Sequence, residues 1–270
     1  MSALTIEPTY RVLLGEPAGF HLVLVGVGGT GANLALILGR LAFHARQRHL
    51  PLRLTFVDPD IVAPVNLGRQ PFCPAELGLN KAVCLAQRLN LAFGLAITAV
   101  PQPFQAEMAL ANRQAVERNW RTLLLGCVDN HLARRELARA VARRQGEWWA
   151  LDCGNAYSSG QVLIGNLADA GRLRLDKLGL CSGLPAPYLQ EPALLEPEPD
   201  EPAVSCAALA EQGEQSLLVN VQAAAVAGQL VHDFIFQRQV VQLAVAFNLS
   251  PFVMRATPIT RQTLAPYLAR

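Results

Sequence analysis

Charge is scarce in this sequence. Only 16% of its 270 residues are Asp, Glu, Lys or Arg, and the formal net charge is +2. So small an imbalance gives no electrostatic basis for gripping a nucleic-acid backbone or an anionic bilayer, so neither partner is expected. Long apolar runs are missing too. Each is broken by Gly, Asn, Gln or Arg well short of the roughly 20 residues that a membrane span requires. The opening "MSALTIEPTYRVLL" lacks a basic start and contains Glu7 and Pro8, unlike a secretory leader. Six cysteines (Cys73, Cys84, Cys127, Cys153, Cys181, Cys206) show neither framework spacing nor a Cys-x-x-Cys pair. That predicts free thiols, a reducing compartment and no zinc site. These absences describe a soluble cytoplasmic protein. At 51% hydrophobic residues the chain is not disordered, and it is long enough to bury one large core.

What is present is an alternation of strand and helix. "HLVLVG" reads as a buried strand feeding a helix from Thr30 to about Arg48. "LRLTFVDPD", "LAITAVP", "RTLLLGCVDN" and "EWWALDCGN" read as further strands, with a helix over "PAELGLNKAVCLAQRLNLA" and another opened by Asn130. Continuous apolar strands separated by helices predict an α/β fold: a Rossmann-like, doubly wound, mainly parallel sheet. "SSGQVLIGNL" predicts an antiparallel extension, and Trp148 and Trp149 are expected in the core. Arg134, Arg135, Arg139, Arg143 and Arg144 recur at helical spacing and read as a solvated face. From Pro185 to Pro202, "PAPYLQEPALLEPEPDEP" is too rich in proline for a helix or central strand and reads as a loop crossing over a site. A long core helix, "EQSLLVNVQAAAVAGQLVHDFIFQR", and a strand, "VVQLAVAF", follow.

The glycine-rich turn Gly26-Val27-Gly28-Gly29-Thr30-Gly31 joins the first strand to its helix. Glycines there let backbone approach phosphate oxygens while the helix N-terminus offers unpaired N–H groups. No Gly-Lys-Ser/Thr closes it, so it is not a Walker loop. Asp58 ends the next strand, where a carboxylate can accept from ribose hydroxyls. These features indicate a nucleotide without separating NAD from ATP. Three more stretches separate them: "DPDIVAPVNLGRQPF" with Asp58, Asp60, Asn66, Arg69 and Gln70; "GLNKAV" with Lys81; and "GCVDNHLARRE" with Asp129 and Asn130. In a doubly wound sheet the carboxyl ends of strands converge. Two cations and a carboxylate able to take Mg²⁺ would then meet the phosphate turn, a set suited to joining a carboxylate to the α-phosphate of ATP. That reaction needs no general base, whereas hydride transfer needs neither the cations nor the metal-binding acid.

"GVGGTG", "VDPD", "NLGRQ", the Lys of "LNKA" and "CVDN" occur in the order and spacing of the ThiF/MoeB family, which includes ubiquitin-activating enzymes, and this resemblance covers residues 20–166. It implies ATP- and Mg²⁺-dependent adenylation of the C-terminal glycine of a ubiquitin-like protein by a homodimer. Gly26, Gly28, Gly29, Gly31, Asp58, Asp60, Asn66, Arg69, Gln70, Lys81 and Asn130 would hold ATP, with Arg69, Lys81 and Asp129 catalytic and Asp129 the Mg²⁺ ligand. Asp129 is also a candidate helix cap. Arg11 is the candidate for an arginine lent by the partner subunit. Many relatives pass the activated glycine to a cysteine. Cys206, in "SCAALAEQ", is favoured over Cys181, in "LGLCSGLP", and a conjugating enzyme would then receive the thioester. "SCAALAEQ" and "LLVNVQ" resemble a compact bacterial branch found in the PRTRC system and in ubiquitin-like conjugation operons. The implied divisions are an N-terminal segment (1–20), an adenylation core (21–167), a crossing loop with the cysteine (168–206), and a C-terminal helix and strand completing the same domain (207–270). Two alternatives stay open: a sulfur-carrier adenylyltransferase that forms no thioester, and a non-catalytic nucleotide-binding platform.

Overall fold

The computed structural model describes residues 7–107, 119–197 and 217–268. Among them the strands are β1 (Val12–Leu13), β2 (Gly19–Val25), β3 (Leu52–Val57), β4 (Thr98–Val100), β5 (Trp120–Gly126), β6 (Trp148–Asn155), β7 (Ser159–Gly165), β8 (Gln239–Val240), β9 (Gln242–Leu249) and β10 (Phe252–Pro258). The longer helices are α1 (Gly29–Gln47), α2 (Lys81–Phe93), α3 (His131–Arg143) and α4 (Val219–His232). None is long and apolar enough to cross a membrane.

Eight strands form one sheet in the order β10-β9-β7-β6-β5-β2-β3-β4. Strands β4 to β6 of that row are parallel, and Leu22 of β2 lies opposite Leu54 on one side and Leu123 on the other. Such a strand has both faces covered, which is why its sequence is apolar throughout rather than alternating. On one face Phe20, Leu22, Leu24, Leu34, Leu38 and Ala227 join the main core under α1, α2 and α4. On the other, Val23, Val25, Leu124, Leu137 and Val141 pack under α3. Phe234 wedges edge-on between Phe20 and Trp149, with ring centroids 5.8 and 5.6 Å away. Beyond β6 the pairing turns antiparallel through β7, β9 and β10. This is the doubly wound sheet with an antiparallel extension, and Trp148 and Trp149 are buried in it.

The chain runs from β2 outward to β3 and β4, then crosses back to β5 on the other side of β2. That reversal opens a crevice between the carboxyl ends of β2 and β5, the place where ligands bind in such sheets.

Several local expectations need correction. The helix expected from Pro74 begins only at Lys81: Pro74–Glu76 is one 3₁₀ turn, Gly78 has φ +78°, and the Asn80 side chain caps the true start through Val83 N at 3.0 Å. The proline-rich segment is not devoid of helix. Pro187–Gln190 and Pro192–Leu195 form short helical turns with proline in the first turn, where its missing N–H costs nothing. The long C-terminal helix starts, among described residues, at Val219 and ends in a π turn, Asp233–Gln237. "VVQLAVAF" splits: β8 pairs with β1 in a separate two-stranded sheet, and β9 joins the main one. β1 and β10 have no counterpart in the sequence reading.

Candidate functional site

The glycine turn sits at the crevice because β2 ends there. Gly26 has φ +85°, and a Cβ on it would lie 2.5 Å from the Cys127 carbonyl oxygen, so only glycine fits. A Cβ on Gly31 would overlap the Gly26 carbonyl oxygen at 1.9 Å, which lets α1 start directly against the strand end. Gly28 is different: nothing lies within 4 Å of where its Cβ would be. It faces open space at the head of a 19-residue helix with no side-chain cap and no acid in its first turn. Unpaired N–H groups and the positive end of the helix dipole therefore face the crevice, a ready site for phosphate.

Around that turn lies a cavity of about 910 Å³. Gly26, Gly28, Gly29, Asp58, Asp60, Asn66, Arg69, Gln70, Lys81, Asp129 and Asn130 all line it. Gly31 does not; its role is the helix–strand contact. Asp58 is buried and braces the turn: one carboxylate oxygen accepts from Val27 N and the other from Asp60 N at 2.8 Å. Burial pushes its carboxyl above the ordinary range despite those bonds. Asn80 ties the same loop to α2 by donating to the Asp58 and Asp60 carbonyls at 2.8 and 3.0 Å. Lys81, 8% exposed, reaches Asp60 at 3.0 Å, so its ammonium is held at the cavity wall by one exposed carboxylate. Asn66 is a buried strut whose Oδ1 accepts from Ala63 N at 2.9 Å and whose carbonyl accepts from Gln70 N at 2.9 Å. Gln70 Oε1 is buried in the cavity wall without a hydrogen-bond partner among the described residues, a vacancy suited to a ligand donor. Across the crevice, Asn130 rather than Asp129 caps α3, accepting from Ala133 N at 2.9 Å, while the exposed Asp129 lines the cavity and its carboxylate accepts from Asn130 Nδ2 at 3.4 Å.

The arginine helix is not a uniformly solvated face. Arg134 is 11% exposed, lines the cavity and pairs with Asp152 at 3.4 Å, itself 1% exposed. Tyr188 donates to the other Asp152 oxygen at 3.2 Å, tying the proline-rich segment to the site. Burial pushes the Asp152 carboxyl up despite Arg134, and the Tyr188 hydroxyl up as well. Arg135 donates to the Leu195 carbonyl at 2.8 Å, while Arg139, Arg143 and Arg144 make outer ion pairs with Glu136, Glu107 and Glu147. Thr30, Asn155 and Asn220 also join the site. The sequence signals for these were thin: Arg134 four residues after a cap, Asn155 just past a strand, Asn220 a lone amide in an apolar helix.

The cysteines divide sharply. Cys206 lies outside the described residues. Cys181 is buried, its thiol donates to the Gly183 carbonyl at 2.8 Å, and burial pushes its pKa up, an inert setting for a nucleophile. Cys84 and Cys153 are buried, Cys73 is exposed at the start of a 3₁₀ turn, and Cys127 is half-buried in the cavity wall. Arg11 is exposed, its backbone pairs with Gly179 and Leu180, and it does not line its own chain's cavity. No cluster of three or more His, Cys, Asp or Glu able to hold a metal occurs among the described residues.

Solved structures share this architecture. A crystal structure of PaaA superposes with TM-score 0.57 over 90% of this chain at 16% identity. Structures of E. coli MccB alone and with ATP superpose with TM-scores of 0.59 and 0.58, over 92% and 89% of this chain, both at 14% identity. The chain covers 65% of the PaaA chain and 64% of these MccB chains, so it spans just under two thirds of their length. Among curated proteins none matches the chain. The model of the ThiF family matches residues 18–172, more than half of the chain and nearly every element that builds the cavity, and the chain belongs to the ThiF family.

Proposed function

We propose that this protein is an ATP- and Mg²⁺-dependent adenylyltransferase that activates the C-terminal carboxylate of a ubiquitin-like protein. One observation carries the reading: the uncapped N-terminus of α1, Arg69, Lys81 and Asp129 all face a single cavity at the sheet's reversal point. Three of the MccB structures contain MccA or a form of it, and one holds ATP, which supports a polypeptide and ATP as co-substrates here. Asp58 and Gln70 would take the ribose and base end, and the α1 N-terminus the phosphates. A carboxylate oxygen attacks the α-phosphorus, the bond to pyrophosphate breaks, and pyrophosphate leaves with the electron pair; no proton moves. Arg69 and Lys81 neutralise that leaving group. Bound through Asp129 and the phosphates, Mg²⁺ would supply further charge neutralisation, consistent with its habit of using one or two carboxylates. In this reading Arg11 serves the neighbouring subunit of a homodimer, and Cys206 receives the acyl group as a thioester for a conjugating enzyme.

The test combines the purified chain, ATP, Mg²⁺ and a ubiquitin-like protein that it captures. ATP–pyrophosphate exchange is expected to depend on the captured protein and to fall about a hundredfold in Arg69→Ala and Lys81→Ala. A dithiothreitol-sensitive adduct should vanish in Cys206→Ser and persist in Cys181→Ser. Exchange without any thiol adduct would favour the sulfur-carrier chemistry instead. Exchange indifferent to Arg69 and Lys81 would overturn the site assignment, and NAD binding without Mg²⁺ dependence would overturn the reaction.

A further inference from the structure

Three polar side chains from distant parts of the chain close on one another at the cavity edge. Thr30 stands in the first turn of α1, Asn155 ends β6, and Asn220 lies in the first turn of α4. Thr30 Oγ1 donates to Asn220 Oδ1 at 2.9 Å, and Asn155 Nδ2 donates to the same oxygen at 2.7 Å. Asn155 Nδ2 also reaches Thr30 Oγ1 at 2.9 Å. Two donors on one oxygen fix which end of the Asn220 amide is the carbonyl. Its NH₂ group is thereby aimed across the glycine turn, with Nδ2 2.6 Å from where a Cβ on Gly29 would sit. Asn220 lines the cavity, and no described residue accepts from this nitrogen. Gly29 is thus glycine for a reason that the motif alone does not supply: a side chain there would displace the amide.

We propose that Asn220 contacts the acyl substrate, its amide donating to an oxygen of the carboxylate that attacks the α-phosphate. This rests on the adenylation reading above. The direction of the reaction locates it. Arg69 and Lys81 follow β3 in the chain, so the pyrophosphate they attract departs on the β3 side of the turn. Attacking and leaving oxygens lie roughly in line across phosphorus. The carboxylate therefore approaches from the β6 side, where Asn155 and Asn220 stand. A neutral amide suits that position. It holds the carboxylate oxygen and then the carbonyl oxygen of the mixed anhydride, without the full ion pair that would stabilise the ground state and blunt the nucleophile.

The test compares two probes by calorimetry: AMP, and 5′-O-(N-glycylsulfamoyl)adenosine, a stable mimic of a glycyl adenylate. In Asn220→Ala the mimic is expected to bind about tenfold more weakly while AMP stays within about twofold, as for loss of one hydrogen bond to a ligand. Asn220→Ser, which keeps an acceptor toward Thr30 but is too short to reach over Gly29, should behave alike. Thr30→Val removes a tether without removing the donor; a merely structural role for Asn220 predicts that Thr30→Val and Asn220→Ala weaken both probes equally. That result, or a mimic affinity unchanged by Asn220→Ala, would overturn the proposal. Failure of the unaltered protein to bind AMP or Mg²⁺–ATP at all would instead sink the adenylation reading on which it stands.

Discussion

Arg134 and Asp152 show how a buried charge pair can be costly and still indispensable. Asp152 is 1% exposed and Arg134 11%, and the effect of burial on the Asp152 carboxyl outweighs the pull of its partner. Taking both ions out of water costs several kcal/mol each, so the pair adds little net stability. Removing one partner is another matter, because the survivor stays buried and uncompensated. Asp152→Asn is expected to lower unfolding free energy by about 3 kcal/mol, measured by urea denaturation at pH 7. A double variant, Asp152→Leu with Arg134→Met, should recover most of that loss. Equal stability of the single variant and the unaltered protein would show that Arg134 is hydrated through the cavity and needs no counter-ion. Neither residue's role was visible in the sequence, and the reason is distance along the chain. Gly26 to Gly31 announce a turn because their neighbours are adjacent in sequence, and Asn130 announces a cap because the N–H it meets is three residues on. Asp152 meets Arg134 only because α3 packs on β6, and Asn220 meets Thr30 across 190 residues. Such partners are set by topology, which local pattern does not encode.

The elements around the site are held in place by close helix contacts rather than by the site itself. α4 crosses α1 at Gly228, where a Cβ would stand 2.7 Å from Ile37 Cγ2. Two effects oppose each other in any substitution there. Replacing a mid-helix glycine gains up to about 1 kcal/mol of helix propensity relative to alanine, less for a β-branched residue. Overfilling a packed contact costs typically 1–3 kcal/mol. Gly228→Val should therefore destabilise by about 1–2 kcal/mol, and a denaturation midpoint that rises instead would mean that α4 can slide off α1 at no cost. At this scale most of the fold was legible. β2, β3, β5, β6 and β7 are apolar enough to be read directly, and α1 and α3 start where their glycine turn and asparagine cap say they should. The misread boundaries have local causes. "PAELGLN" has helical composition, yet Gly78 at φ +78° interrupts it, and capping by Asn80 restarts the chain at Lys81. β10 was invisible because nearly all of its residues are exposed, so it carries no alternation to detect.

The family model ends at residue 172, but the core does not. One apolar cluster runs from Val12 to Leu264, and it includes Val219, Ala223, Ala227, Val231 and Phe234 from α4 and the turn that follows it. These side chains cover the face of β2 and β6 that carries Phe20, Leu24 and Trp149. A chain cut after 172 would leave that face open to water and would lose Asn220 from the cavity edge, along with the β7–β9 pairing. Burying a side chain the size of Leu or Phe contributes about 1.5–3 kcal/mol, so losing several such contacts is comparable to the whole 5–15 kcal/mol by which a domain is stable. The whole chain is therefore expected to unfold as one unit, with far-ultraviolet circular dichroism and the fluorescence of Trp120, Trp148 and Trp149 tracing a single urea transition. Residues 1–172 alone should show neither a cooperative transition nor binding of AMP. If the two probes gave separate midpoints, or if the shorter chain bound AMP with the affinity of the longer one, the antiparallel extension and α4 would be an independent unit. The nucleotide cavity would then belong to the parallel half alone, and the contact between Asn220 and Thr30 would be a junction between two units rather than part of one wall.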